Sequence, residues 1–207
     1  MKKLLILLFS ISLLWSPTGF ADDISDFQIE GISIGDSLLD YMTEEEILED
    51  IEYTKDFYYY LKEPNKYAEV YLYKNLKTYG AVSFFVKNTQ SNNYITNKNE
   101  KYKILSIYGM MDFTENFNSC IVKRDEILEV VSEMFPNSDK SEYFVEYAGD
   151  PSGDSVVDVV YLQHESGAEI ELSCMDYEET FRINRNWSDI LNVAIKSEEV
   201  MTWMSDY

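Results

Sequence analysis

Histidine is almost missing from this sequence: 207 residues contain one, His164. Cysteine is scarce too, with only Cys120 and Cys174. That set holds too few nitrogen and sulfur ligands for a zinc or copper centre, so no metal site and no cofactor are expected. There is no C-x-x-C pair, which leaves a thioredoxin-like redox role without support. Positive charge is equally short. Seventeen Lys and Arg face 38 Asp and Glu, a formal net charge of -21. A surface of that sign repels phosphate backbones and anionic lipid, which excludes nucleic acid and electrostatic membrane binding as partners. After residue 21 no run approaches 18 apolar residues, so no transmembrane segment is expected beyond the N-terminus.

What is present begins with an export pattern. Lys2 and Lys3 precede an apolar stretch from Leu4 to Trp15, and small residues Gly19 and Ala21 stand before Asp22 and Asp23. This reads as a cleavable signal peptide over residues 1–21, with a periplasmic or secreted destination. An apolar run of about 12 residues is too short to span a bilayer comfortably. No cysteine near the cleavage point would take a lipid. Cleavage removes Lys2 and Lys3 and moves the net charge from -21 to -23. Residues 22–207 are long enough for one domain with a real core. Their aromatic content (17 Tyr and 11 Phe in the whole chain) argues against disorder.

In an oxidising compartment the even cysteine count points to a disulfide. Cys120 shares a helical face with Ile127, Val131 and Met134, and Cys174 alternates with Ile170 and Leu172 on a strand. Both sulfurs then point into one core. Closing a loop of roughly 55 residues contributes about 4 kcal/mol by loop entropy.

The periodicities alternate between strand and helix along the chain. Thr43-Glu44-Glu45-Glu46 is a capping box opening a helix through Ile47, Leu48 and Ile51. Strand-like segments follow at Phe57 to Leu61, Ala68 to Leu72, Val82 to Val86 and Leu105 to Phe113. In the last of these, Leu105, Ile107, Gly109, Met111 and Phe113 alternate with Tyr102, Ser106, Tyr108 and Asp112, which reads as a strand with one face buried. A helix over 119–135 ends at Pro136. Two strands, Val156 to Gln163 and Ala168 to Met175, flank the turn Glu165-Ser166-Gly167. A strand near Ile190 to Ile195 leads to a short helix after Ser197, packed down by Val200, Trp203 and Met204. The pattern predicts a single α+β domain: an antiparallel sheet of about six or more strands packed by two or three helices.

Catalytic patterns cluster near the N-terminus. Gly31-Ile32-Ser33-Ile34-Gly35 matches G-x-S-x-G, but about 11 residues between the cleavage point and Ser33 leave no room for the strands that a nucleophile elbow needs. Gly35-Asp36-Ser37-Leu38 resembles the first block of the GDSL esterase/lipase family. That likeness implies Ser37 as nucleophile and a parallel α/β fold, with His164 the sole candidate base. The family's Gly-x-Asn-Asp and Asp-x-x-His motifs have no counterpart here. On the residues alone, Gly31 and Gly35 make turns and Asp36 or Ser37 caps the next helix. Asp150-Pro151-Ser152-Gly153-Asp154, with Asp158 beyond, is acidic enough for calcium but lacks the EF-hand pattern and reads as a solvated loop. Tyr67, Tyr71 and Tyr73 alternate with Ala68, Val70 and Leu72, and Tyr58, Tyr59 and Tyr60 precede them. An aromatic, acidic sheet face of this kind suits a sugar, a peptide or a partner protein.

Several segments together resemble an uncharacterised group of small exported proteins from marine bacteria with compact, AT-rich genomes. They are Ile29 to Tyr41, Glu44-Glu45-Glu46-Ile47, Tyr108-Gly109 with Cys120 in the next helix, and Ile195-Lys196-Ser197-Glu198-Glu199 with Trp203. The resemblance covers most of the mature chain and implies an exported protein, with no activity attached. The expectation is therefore a non-enzymatic binding or interaction protein of the cell envelope, with Tyr67, Tyr71 and Tyr73 as candidate ligand contacts. The alternatives are a divergent GDSL-type esterase using Ser37 and His164, and a purely structural envelope protein.

Overall fold

The computed structural model describes residues 23–57, 61, 66–88, 97–114 and 116–206. The expected signal peptide and Tyr58, Tyr59 and Tyr60 lie outside the described residues. Seven strands make one sheet: β1 (Tyr67–Leu72), β2 (Ala81–Lys87), β3 (Ile104–Asp112), β4 (Asp139–Glu146), β5 (Val156–Gln163), β6 (Glu169–Asp176) and β7 (Ile190–Lys196). Their order is β1-β2-β3-β7-β6-β5-β4, with every neighbouring pair antiparallel. Among the described residues four helices with full bounds join them: α1 (Glu44–Thr54), α2 (Phe117–Met134), α3 (Glu179–Arg185) and α4 (Glu198–Met204). This is the single α+β domain that the periodicities predict.

The main core lies on one face of the sheet. Period-two alternation sends Val70, Phe84, Ile107, Val193, Leu172 and Cys174 to that face, all fully buried. Removing such side chains from water contributes about 1.5–3 kcal/mol each. Helix α1 closes the core with Ile47 and Ile51, α2 with Cys120 and Val131, and residues 24–38 with Ile29, Ile32 and Leu38. The capping box of α1 forms as expected: Thr43 Oγ1 accepts from Glu46 N (3.2 Å), and the Glu46 carboxylate accepts from Thr43 N (3.0 Å). The Cys120–Cys174 disulfide ties α2 to β6, with Cα atoms 5.9 Å apart.

Two elements, β4 and α3, have no counterpart among the expected ones, and several local expectations fail for identifiable reasons. Strand β4 shows no alternation because it is an edge strand exposed on both faces, Tyr143, Phe144 and Val145 included. Helix α3 is short and buries only Phe181 within its span. Phe57 lies in the turn after α1 and Leu61 is helical, so no strand occupies the described ends of that stretch. A bulge in β3, facing Phe85 and Val86, sends Leu105 to the opposite face from Ile107. Tyr102 sits before β3 in a left-handed conformation (φ 47°) and is buried in the main core, so it does not share the polar face with Tyr108.

Candidate functional site

The second face of the sheet carries the polar residues of each alternating pair. Strand register lines up a row across it: Tyr71, Ser83, Tyr108, Ala194, Glu171 and Tyr161. Large rings stand at positions separated by the small Ser83 and Ala194, and the row is therefore hollow between them. Helix α4 covers only one end of this face. There Tyr67, Phe85 and Leu105 pack under Val200 and Trp203. The uncovered part forms a groove of about 300 Å³, lined by Glu69, Tyr71, Ser83, Tyr108, Glu171 and Asn192, with Met110, Met175 and Met204 among its apolar walls.

One side of the groove holds a built-in cation. Lys196 Nζ lies 2.9 Å from Glu169 and 2.6 Å from Glu171, and over the rings of Tyr108 (6.0 Å) and Tyr161 (5.7 Å). Burial alone would lower the Lys196 pKa. The Glu171 charge, Tyr108 and Glu169 outweigh it and hold the pKa above the ordinary lysine value. Loss of hydration likewise raises the Tyr108 pKa.

Glu69, on the other side of Tyr108, has no such answer. Its Oε1 accepts the Tyr71 hydroxyl at 2.9 Å. No cation among the described residues lies within ion-pairing distance of it. Burial raises its pKa, the Tyr71 and Ser83 hydroxyls offset part of that rise, and the neighbouring Asp50 charge adds to it. Asp50 comes from α1 and accepts Tyr71 N at 2.5 Å, which fixes the start of the row.

The three expected tyrosines part company. Tyr71 lines the groove. Tyr67 is 2% exposed, donates its hydroxyl to Glu199 on α4 (2.9 Å), and belongs to the small core beneath that helix. Tyr73 falls just beyond β1, where it stacks parallel on Tyr71 at 5.9 Å and remains exposed. The groove residues that sequence reasoning missed are Glu69, Glu171, Asn192 and the adjoining Lys196. Their signal was weak: charged or amide residues alternating with apolar ones on three strands, which reads as a solvated face until the strand order is known.

Ser37 and His164 each have local structural partners and no hydrogen bond to one another. Ser37 is 3% exposed, donates to Lys101 O (2.8 Å) and accepts Leu39 N (3.3 Å), capping a 3-10 turn over Leu38–Asp40. Asp36 accepts Ser33 N and the Tyr41 hydroxyl. Gly31 and Gly35 hold positive φ angles (81° and 93°), which supply the turns. His164 ends β5, where its Nδ1 lies 2.8 Å from Ser166 Oγ and its ring packs edge-on against Phe135. Asp150 spends its carboxylate on the N–H groups and hydroxyls of Ser152 and Ser155. The Ser155 hydroxyl above all pulls its pKa down to about 2. Asp158 turns instead to Arg124 on α2.

Comparison of the chain with family models, with curated proteins and with solved structures found no match. Among the described residues, no helix is long and apolar enough to cross a membrane.

Proposed function

We propose that this is an exported protein of the periplasm or cell exterior that acts by binding, without catalysis, and that its ligand occupies the groove beside α4. The observation that carries the reading is the groove itself. A concave sheet face with Tyr71, Tyr108, Glu69 and Asn192 converging on about 300 Å³ is the kind of surface that takes a sugar or a peptide side chain. The Cys120–Cys174 bond is compatible with an oxidising compartment. The resemblance to small exported proteins points the same way. The esterase alternative needs Ser37 free and next to a base, whereas its hydroxyl is committed to Lys101 O and Leu39 N.

Glycan and peptide arrays probed with the disulfide-bonded protein test this reading. Expected is retention of a defined ligand class, reduced at least about tenfold by Tyr71→Ala or Asn192→Ala. Labelling by a fluorophosphonate that disappears in Ser37→Ala would overturn it and make the protein a hydrolase. Array binding indifferent to both groove substitutions would remove the groove as the site.

A further inference from the structure

We infer that the groove takes an organic cation, an alkylammonium group seated against the Glu69 carboxylate between Tyr71 and Tyr108. This deepens the binding reading above and rests on it.

The argument comes from the molecule's own ammonium site. On one side of Tyr108, Lys196 is held by carboxylates and tyrosine rings: Glu169, Glu171, Tyr108 and Tyr161. On the other side stand a carboxylate and tyrosine rings again, Glu69 with Tyr71 and Tyr108, facing an open groove. Glu69 touches both: it accepts the Tyr71 hydroxyl, and it adds the smallest share to a Tyr108 pKa that burial chiefly raises, with Glu171 ahead of Glu69. The first site contains its cation as part of the chain. In the second, no Lys, Arg or His among the described residues answers Glu69. The electrostatics of ring faces and a part-buried carboxylate favour a positive guest in both places.

The guest is organic rather than a metal ion. Among the described residues, no three His, Cys, Asp or Glu side chains come together as a metal cage. Beside the polar Ser83, Glu171 and Asn192, the walls are thioethers and apolar carbon (Met110, Met175, Met204), which suit the methyl and methylene groups around an ammonium nitrogen better than a hydrated ion. A net charge of -21 draws cations to the surface before they find the groove.

Titration calorimetry at low ionic strength on the full disulfide-bonded protein tests this with a matched pair of probes. Choline carries the charge, and 3,3-dimethylbutan-1-ol has the same shape without it. Expected is choline binding at least about tenfold tighter than the neutral isostere, and weakened at least about tenfold by Glu69→Gln. Glu142→Gln, an exposed change on β4, should leave it intact. Circular dichroism confirms that each variant is folded. Equal binding of the two probes overturns the inference, as does equal loss in the two variants. Absence of choline or butylammonium binding up to about 10 mM does the same. If neither cation binds while an array sugar or peptide still depends on Tyr71, the cation assignment falls and the groove reading stands.

Discussion

A carboxylate placed on a sheet face beside a covering helix costs the fold stability wherever it is ionised and uncompensated. Glu69 is in that position, with the hydroxyls of Tyr71 and Ser83 as its hydrogen-bonding neighbours, no cation among the described residues within ion-pairing distance, and the Asp50 charge nearby. Its pKa is raised in the folded protein, so the native state holds the proton more tightly than the unfolded chain. The stability penalty is therefore absent below the ordinary glutamate value of about 4.3. It grows as pH rises through that value and levels off above the raised folded one. Glu69→Gln keeps an acceptor for Tyr71 and removes the charge. The expected outcome at pH 7 is a Tm about 2–4 °C higher than wild type, what roughly 1 kcal/mol gives in a domain of this size. The gain should shrink towards zero near pH 4. A variant that is less stable at pH 7, by an amount independent of pH, would show that Glu69 is a structural acceptor and nothing more. A residue that weakens its own fold and strengthens on losing its charge fits a site kept for a ligand.

At the scale of elements, two ties fix α2 to the sheet: the Cys120–Cys174 bond to β6 and the ion pair of Arg124 with Asp158 on β5. The disulfide closes 54 residues of separation that include the whole of β4 and β5. Cys120→Ala/Cys174→Ala should lower the unfolding free energy in urea by about 4 kcal/mol from loop entropy. A loss under about 1 kcal/mol would mean that helix packing already restrains the unfolded chain as much as the bond does. The bond was legible in the sequence because both cysteines sit in strong periodic patterns. So were β1, β5 and β6 and the capped start of α1, which show as alternation or as a Thr-x-x-Glu box, and β2 and β7, which are buried on both faces and show as short apolar runs. Strand β4 was not, since an edge strand with both faces in water has no face to alternate. Leu105 was misread because it is itself the extra residue of a bulge in β3, skipped between the pairs Phe85–Ser106 and Val86–Ile104, and a bulge leaves no mark in composition. The groove was half legible. Tyr71 and Tyr108 stood out as aromatic residues on polar faces, but the meeting of Glu69, Glu171 and Lys196 depends on β7 lying between β3 and β6. No local pattern states that order.

Across the whole molecule, 38 acidic residues against 17 basic ones set up self-repulsion that the scattered surface ion pairs, such as Lys74 with Glu46 and Lys87 with Glu199, do not cancel. Compaction concentrates that charge, and salt screens it: from about 0.01 M to 1 M the Debye length falls from about 30 Å to 3 Å. Sodium chloride over this range is therefore expected to raise Tm, as read by differential scanning calorimetry. The same ions weaken the attraction between the groove and an organic cation, so choline affinity should fall over the range in which stability rises. These opposite slopes separate the two uses of negative charge in this protein. If Tm falls with salt, the individual ion pairs outweigh the net repulsion and the acidity belongs to the fold. If Tm rises while choline binding is unmoved, the long-range field contributes nothing to recognition. The ligand would then be held by the short-range contacts of Glu69, Tyr71 and Tyr108 alone.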